Sequence, residues 1–212
     1  MPSSSQRSAA VRLPEPRLVR GKSLPESLRR RRTIREISDR KLPAQILSNL
    51  LWAACGVNRR RGSFGYAGRT AASASDSQEI DVYVALEHGA YRFEAQRHRL
   101  VPVASGDLRT LAIGRGQQDM VTKAPVQLIY VVDTHRLTHT KGFQEPGLHD
   151  PEVQKSYYYV DTGLIAGNVY LFAASQGLAC WFHNCDRAAL TRKLKVRAEQ
   201  RVLFAQTVGY PE

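Results

Sequence analysis

The sequence predicts an α+β fold built around one hydrophobic core. Helical and strand patterns follow one another without the regular strand–helix–strand alternation of a parallel α/β protein. A continuous apolar run at residues 125–133 is typical of a buried strand, and residues 153–176 form a long helical segment. The length of 212 residues, with 42% hydrophobic and 24% charged residues, suits a single globular domain.

Positive charge is concentrated at the start of the chain. The formal net charge is +12, and before position 36 ten lysines and arginines face only Glu15 and Glu26. Residues 1–22 have little apolar periodicity and are predicted to form an extended basic arm, followed by one domain at residues 23–212. Such an arm suits nucleic acid, an anionic membrane or a partner subunit. Nucleic acid is not the expected partner, because no aromatic side chains alternate with the charges of the arm.

Two helices precede a long loop. The capping box Ser23–Glu26 predicts a short helix that reaches about Arg32. Apolar residues at helical spacing from Ile46 to Ala54 predict a second helix. Residues 57–79 are rich in glycine, serine, arginine and alanine and have no period, which indicates a long ordered or functional loop.

The remaining elements are a mixture of strands and helices, with no internal repeat. They are predicted, in chain order, as a hairpin of strands 80–86 and 91–95, a short helix at 107–113, a strand at 125–133, a loop at 134–152, a helix at 153–176, a strand at 178–182, a helix at 186–194 and a final strand at 200–210.

Several classes of site and location are excluded or disfavoured. No apolar run approaches the roughly 18 residues that a membrane helix needs, and no signal-peptide pattern is present. The three cysteines are odd in number and lack metal-type spacing, which favours reduced thiols and a cytoplasmic location. His135 and His139 have the i, i+4 spacing of a weak metal site, but solvated loop histidines are the preferred interpretation, so no metal is predicted. The usual glycine-rich phosphate motifs are absent.

The segment RRRRTIR at residues 29–35 has two interpretations. Within a helix, Arg31 and Arg35 would share one face, with Thr33 between them, and two guanidinium groups with a hydroxyl suit a phosphate. Alternatively, the arginines are solvated charges at the end of a helix, where they interact favourably with its dipole. From composition alone, the solvated charges are the preferred interpretation.

Five segments, in this order, resemble the nitroreductase-like FMN oxidoreductases, including their thiazole- and oxazole-dehydrogenase branch. The resemblance extends from Ser23 to the end of the chain, and each segment is weak by itself. The segments are RRRTIREISDRKLP, LLWAACGVNR, RTAASASDSQEIDVYV, DTGLIAGNVYLFAASQGLA and QTVGYP.

The resemblance implies an α+β fold with a mixed central sheet flanked by helices, and a homodimer that binds FMN at the subunit interface. Residues at the start of the domain would hold the FMN phosphate and the polar edge of its ring, and residues of three later segments would meet the ring. The first group is Arg31, Arg32, Thr33 and Arg35, and the second is Ser73, Ala74, Asp76, Gln78, Gly167, Asn168, His183 and Asn184. Because the flavin performs the chemistry, no catalytic side chain is expected.

The implied activity is an NAD(P)H-dependent FMN oxidoreductase that transfers hydride through flavin to a nitro, quinone or conjugated acceptor, or to a peptide-derived azoline. Three departures from the family pattern keep an alternative open. Ala72 replaces a proline, Asp76 replaces an asparagine and Gly167 replaces a glutamine. The alternative is a flavin-binding or degenerate member without turnover, whose basic arm serves a partner. A third possibility is an arm-driven binder of nucleic acid or membrane.

Overall fold

A seven-stranded sheet forms the frame of the protein. The computed structural model describes residues 9–17, 21–114, 124–141 and 149–212. The strands of the sheet lie in the order β1-β6-β5-β4-β7-β9-β8, and β2 and β3 form a separate two-stranded ribbon. In chain order the strands are β1 Val11–Arg12, β2 Val57–Arg59, β3 Gly68–Arg69, β4 Ile80–Leu86, β5 Gly89–Glu94, β6 Arg99–Ser105, β7 Val126–Asp133, β8 Ala179–His183 and β9 Gln200–Gly209.

The helices pack on the two faces of this sheet. They are α1 Leu24–Arg30, α2 Ala44–Cys55, α3 Thr134–Thr138, α4 Pro151–Gln176 and α5 Arg187–Lys193. Helix α4 begins at a strong start signal, because the Asp150 carboxylate accepts a hydrogen bond from the Glu152 N–H at 2.8 Å and Pro151 occupies the first turn. It ends where Gly177 adopts a left-handed conformation with φ of 70°. These signals fix a 26-residue helix that spans the domain.

The predicted α+β class is confirmed, with one correction to the sheet. Every pairing in the described part of the chain is antiparallel, so the sheet is not mixed. Strands β4, β5 and β6 are consecutive and joined by tight turns, which permit only antiparallel pairing. Strands β7 and β8 run in the same direction and are connected through α4, but β9 lies between them and pairs with both.

The core divides into layers on the two faces of β7, whose eight residues are all buried. On one face Leu128 packs in a cluster with Leu50 of α2 and with residues of α4. On the other face Ile129 packs in a smaller cluster with Leu190 of α5. Because successive side chains of a strand point to opposite faces, a strand covered on both faces must be apolar at nearly every position. This explains why the run at residues 125–133 is continuous rather than alternating.

Four local predictions differ from the structure. Helix α1 ends at Arg30, and the predicted helix at 107–113 is a single 3-10 turn at Arg109–Ala112. Strand β6 was not predicted, and α3 lies within the segment 134–152 that was predicted as a loop. Residues 142–148 of that segment lie outside the described residues.

The described part of the arm, residues 9–17, is attached to the domain through its main chain. Strand β1 pairs with β6, and Leu13 is buried. Asn49 of α2 accepts a hydrogen bond from the Arg17 N–H at 2.8 Å and donates one to the Arg17 carbonyl at 2.7 Å. Ser48, also on α2, donates to the Pro14 carbonyl at 2.5 Å. The division into an arm of residues 1–22 and a domain of residues 23–212 stays a prediction.

Replacing Asn49 with alanine should destabilise the protein, because the Arg17 main chain would lose both of its partners on α2. The free energy of unfolding, measured by urea denaturation, is expected to fall by about 1–3 kcal/mol. Asn58→Ala is the control, since its exposed side chain contacts only the neighbouring Arg59, and it should change stability by less than about 0.5 kcal/mol. Equal stability of the two variants would contradict the role of Asn49 in holding the arm.

Candidate functional site

The arginine segment is extended rather than helical. Arg31 closes α1 by donating its N–H to the Ser27 carbonyl at 2.8 Å, and its ψ of 118° turns the chain out of the helix. The Ile34 N–H then donates to the Cys180 carbonyl of β8 at 3.0 Å. In extended chain alternate residues point the same way. Arg31 and Arg35 therefore lie on one side because the chain is extended, and not because they share a helix face as predicted.

Aromatic side chains support this segment. The Arg31 guanidinium lies 5.6 Å from the centre of the Tyr170 ring, and the Arg35 guanidinium lies 5.3 Å from that of Trp181. The Tyr170 hydroxyl accepts a hydrogen bond from the Phe182 N–H at 2.9 Å and shares another with the Thr33 hydroxyl at 3.1 Å. Cation–π contacts orient a guanidinium without neutralising its charge.

The positive charge of the segment is not compensated within the described part of the chain. Arg31, Arg32 and Arg35 are exposed, and none of them forms an ion pair with a described residue, whereas the adjacent Arg29 and Arg30 both pair with Glu26. Residues 32–36 line an open concavity. A group of oriented, unpaired guanidinium groups with a hydroxyl fits a phosphate. The observed geometry thus favours the phosphate interpretation over solvated helix-end charges.

Four residues of the second predicted group, Ser73, Ala74, Asp76 and Gln78, lie in the loop at residues 69–78, which contacts α4. The Asp161 carboxylate accepts a hydrogen bond from the Ala74 N–H at 2.8 Å, and the Asn168 amide donates to the Thr70 carbonyl at 3.3 Å. Ser75 and Asp76 have φ values of 51° and 54°, which are uncommon for residues other than glycine. Such conformations persist only where surrounding contacts impose them, so α4 determines the shape of this loop.

Gln78 organises the interior of the loop. Its amide nitrogen donates to the Asp76 carboxylate at 3.0 Å and to the Ala67 carbonyl at 2.8 Å. Its side-chain amide oxygen accepts from the Arg69 guanidinium at 2.7 Å. The main-chain N–H of Gln78 donates to the Ser73 hydroxyl at 3.0 Å. The Gln78 side chain is therefore committed to the loop, which makes it a positioning residue. The other carboxylate oxygen of Asp76 is buried without a hydrogen-bond partner among the described residues.

Two buried carboxyl groups lie beneath the loop, and sequence reasoning missed both as a functional pair. Glu79 and Asp161 line a pocket together with Arg69. Ser77 donates to one Glu79 oxygen at 2.6 Å, and the Glu79 and Asp161 side chains hydrogen-bond to each other when a proton lies between them. Burial, with the nearby Asp161, raises the pKa of Glu79 to about 8, and burial also raises the pKa of Asp161. Glu79 is therefore protonated at neutral pH.

Within one chain, the arginine segment and the 69–78 loop contact different faces of α4, whereas His183 packs on Trp181 beside the arginine segment. Asp161 and Asn168 are seven residues apart on α4 and share a face, which contacts the 69–78 loop. Tyr170, which contacts the arginine segment, is two residues beyond Asn168 and so lies about 200° around the helix. The arginine segment and the 69–78 loop therefore lie on opposite flanks of α4.

The surface of α4 between these flanks is apolar and exposed. Val160 is 59% exposed and Leu164 is 44% exposed. A Cβ atom added at Gly163 or Gly167 would meet nothing within 4 Å, so the space above both glycines is open. We name Val160, Gly163, Leu164 and Gly167 the α4 strip. Its glycines leave room for another main chain to approach closely.

The side chains of His183 and Asn184 are engaged elsewhere. His183 is buried, with one ring nitrogen 2.7 Å from the Thr207 hydroxyl and the other 2.9 Å from the Asn184 carbonyl. Burial lowers the pKa of His183, which keeps the ring neutral. The exposed Asn184 amide oxygen accepts a hydrogen bond from Arg187 at 3.1 Å. The predicted role of this segment toward a cofactor therefore stays a prediction for its main chain.

The described residues contain neither a metal-binding cluster nor a membrane-spanning helix. Across residues 9–17, 21–114, 124–141 and 149–212, no group of three or more His, Cys, Asp or Glu side chains is arranged to hold a metal ion. The predicted pair His135 and His139 has stacked rings, with centres 3.9 Å apart. Among the helices that the structure describes, none is long and apolar enough to cross a membrane.

The sequence and the fold are similar to those of known proteins. Residues 28–210 match the Nitroreductase family. A candidate nitroreductase of Methanocaldococcus jannaschii is 30% identical over 162 residues, which cover 73% of this chain and 75% of that protein. The crystal structure of a candidate nitroreductase from Ralstonia eutropha JMP134 is 32% identical, with a TM-score of 0.84, and the match covers 100% of this chain and 93% of that one. The NADPH:FMN oxidoreductase of Vibrio harveyi, solved with NAD+, shares the fold at 19% identity and a TM-score of 0.61, over 89% of this chain and 69% of that one. The chain belongs to the nitroreductase family.

Proposed function

We propose that this protein is an FMN-dependent oxidoreductase that takes hydride from NAD(P)H and delivers it to a small nitro, quinone or conjugated acceptor. The observation that carries the proposal is the unpaired arginine segment at residues 31–35, held on the Tyr170 and Trp181 rings. Family membership supports an oxidoreductase, and the similar fold of an NADPH:FMN oxidoreductase supports FMN and NADPH. We further propose a cytoplasmic location, where the three free cysteines stay reduced.

The arginine segment fits the phosphate and the polar ring edge of FMN. Arg31, Arg32 and Thr33 would hold the phosphate, and Arg35 would lie at the ring edge. Because guanidinium groups stay protonated in proteins, they supply a permanent positive charge there. Bound FMN would supply the hydride chemistry, accepting from a nicotinamide and donating to the acceptor. The positive charge favours reduced flavin, which carries more negative charge than oxidised flavin.

The 69–78 loop would provide the opposite wall of the site. Ser73 and Ala74 are small residues that allow close approach by a flat ring. The loop is fixed by Asp161 at Ala74 and by Asn168 at Thr70, so its main chain is already shaped before a ligand binds. Binding to such a preformed surface avoids the entropic cost of ordering a loop.

We propose that a second copy of the chain completes each site. The arginine segment and the 69–78 loop lie on opposite flanks of α4, and the exposed α4 strip lies between them. Leu24 and Leu28 of α1, which packs beside α4, are also exposed. Burying these apolar side chains between two copies would stabilise a homodimer. Each flavin would then contact the arginine segment of one copy and the 69–78 loop of its partner.

Asp76 favours a second candidate, a flavin-binding protein without turnover. The family pattern has an asparagine at this position, and one Asp76 oxygen is buried without a partner among the described residues. An ionised carboxylate accepts hydrogen bonds but does not donate them, and it opposes negative charge on a reduced flavin. Oxidation of NAD(P)H by the FMN-loaded protein, with a nitro or quinone acceptor present, distinguishes the two candidates.

Removing one guanidinium from the arginine segment should weaken FMN binding. Loss of a hydrogen bond to a charged group is worth about 1.5–3 kcal/mol, so the Kd for FMN should rise about 10- to 100-fold in Arg31→Ala and in Arg35→Ala. Flavin fluorescence titration measures this Kd. Arg29→Ala is the matched control from the same run of arginines, since Arg29 pairs with Glu26, and its Kd should stay within about twofold. A wild-type protein that fails to retain FMN would refute the proposed function.

A further inference from the structure

The ribbon of β2 and β3 carries an exposed loop that has no role in the function proposed above. We name residues 60–66 the ribbon loop. Arg60 and Arg61 are exposed, and neither forms an ion pair with a residue that the structure describes. Phe64 is 49% exposed and Tyr66 is 42% exposed. Two cations and two aromatic rings thus share one short loop.

Close main-chain contacts fold the ribbon loop tightly. The Gly62 N–H donates to the Tyr66 carbonyl at 2.6 Å, which closes the loop. A Cβ atom at Gly62 would lie 3.0 Å from both the Gly68 nitrogen and the Tyr66 carbonyl oxygen, so the chain is tightly folded there. Phe64 has a φ of 55°, an unfavourable conformation for a bulky residue. Conformations of this kind concentrate at ligand-binding sites, and here the strained residue exposes an aromatic ring.

The neighbouring Arg59 has a different, structural role. Its guanidinium lies against the main chain of Gly68, where an added Cβ atom would approach to 2.5 Å, and it also donates to the Asn58 side chain at 2.9 Å. Arg59 therefore braces the two strands of the ribbon. Arg60 and Arg61, one and two residues further along, remain available to a ligand.

The base of the ribbon loop is joined to the candidate site. The Ala67 carbonyl accepts the hydrogen bond from Gln78, the residue that organises the 69–78 loop. Phe64 is three residues from Ala67, so their Cα atoms are at most about 10 Å apart. The ribbon loop is therefore connected, through Ala67, to the residue that organises the wall that we propose for the flavin ring.

We propose that the ribbon loop binds the acceptor substrate and selects aromatic molecules that carry an anionic group. This inference rests on the proposed function and names the substrate class of the same site. An aromatic ring would stack on Phe64 or Tyr66, and Arg60 and Arg61 would pair with a carboxylate or similar anion. The sequence has no acidic residue from position 57 to position 75, so the local charge is positive throughout.

Equilibrium dialysis with 4-nitrobenzoate and with nitrobenzene tests this selectivity, because the two ligands differ only in the carboxylate. In the double variant Arg60→Ser, Arg61→Ser the Kd for 4-nitrobenzoate should rise about five- to tenfold, while that for nitrobenzene should stay within about twofold. Phe64→Ser should weaken both ligands. The control Arg192→Ser, Lys193→Ser removes the same charge from an exposed part of α5 and should leave both affinities unchanged. The kcat/KM values of the FMN-loaded protein should follow the same order.

Several outcomes would overturn the proposal. An unchanged affinity for 4-nitrobenzoate in the Arg60→Ser, Arg61→Ser variant would do so, as would an equal loss in the α5 control. If that variant instead lost affinity for a single-stranded oligonucleotide or for phosphatidylserine vesicles, with 4-nitrobenzoate unaffected, the loop would serve a macromolecule. Loop-dependent binding of 4-nitrobenzoate by a protein that retains no FMN would uphold the ligand class and overturn the redox role.

Discussion

The variant Glu79→Gln is expected to keep nearly constant stability between about pH 6 and about pH 8, a range in which the wild-type protein becomes less stable. Burial beside Asp161 raises the pKa of Glu79 from its ordinary value of 4.5 to about 8. Within that window the folded protein keeps a proton on Glu79 that the unfolded chain has released. The contribution of Glu79 to stability is therefore complete below about pH 4.5, decreases as pH rises, and is lost above about pH 8.

The expected size of the effect follows from the window. Each pKa unit corresponds to about 1.4 kcal/mol, so the wild-type protein should lose about 2–3 kcal/mol between about pH 6 and about pH 8. Glutamine imitates the protonated carboxyl group, since its oxygen can accept from Ser77 while its NH₂ group faces Asp161. The variant should therefore be the more stable protein at alkaline pH. Urea denaturation at a series of pH values measures both slopes.

Glu87→Gln is the control for this experiment. Glu87 is exposed and pairs with Lys41, and the hydrogen bond and charge of that lysine lower its pKa. Its replacement should leave the alkaline slope of the wild-type protein unchanged. Equal slopes in the wild-type protein and in Glu79→Gln would show that Glu79 is not protonated in the folded state.

The variant Leu164→Glu is expected to convert the proposed homodimer into monomers and to abolish FMN retention. Leu164 lies on the α4 strip, and a two-fold interface contains every substitution twice. Full burial of a leucine is worth about 1.5–3 kcal/mol, but Leu164 has only 44% of its surface left to bury, so two copies contribute about 1.3–2.6 kcal/mol and the dimer Kd should rise by at least about 10-fold. Sedimentation equilibrium measures the dimer Kd, and gel filtration with added FMN measures retention.

The folded monomer should survive this substitution, because Leu164 is 44% exposed in the single chain. Circular dichroism of the variant should match that of the wild-type protein. Gln96→Glu places the same charge on an exposed residue in the turn between β5 and β6 and should leave the dimer intact. A monomeric variant that binds FMN as tightly as the wild-type protein would refute a site shared between two copies.

Much of the fold could be predicted because its signals are local. The capping residues of α4 and the continuous apolar run of β7 lie within their own segments, and both elements were predicted within about two residues. Strand β6 was missed because Pro102 interrupts it, and a proline within a run argues against a strand. Helix α1 was predicted too long because the contact of Ile34 with Cys180, which draws the chain away from the helix, spans most of the sequence.

The candidate site was predictable only in part, for the same reason. The arginine segment is contiguous, so its charge was visible in the sequence. Its supports, Tyr170 and Trp181, are more than 130 positions away, and nothing near them in sequence indicates that they contact arginines. The protonated state of Glu79 likewise depends on burial by distant elements, which no short motif encodes. Sequence therefore indicated which groups are present, and tertiary packing determined which of them are free, paired or protonated.

The way in which α2 holds residues 9–17 has a consequence for engineering. Ser48 and Asn49 bind carbonyl and N–H groups, which every peptide of suitable length presents. The attachment therefore depends on the main chain of the segment more than on its side chains, apart from the buried Leu13. Exposed side chains within residues 9–17 could thus be exchanged for others at little cost to the attachment.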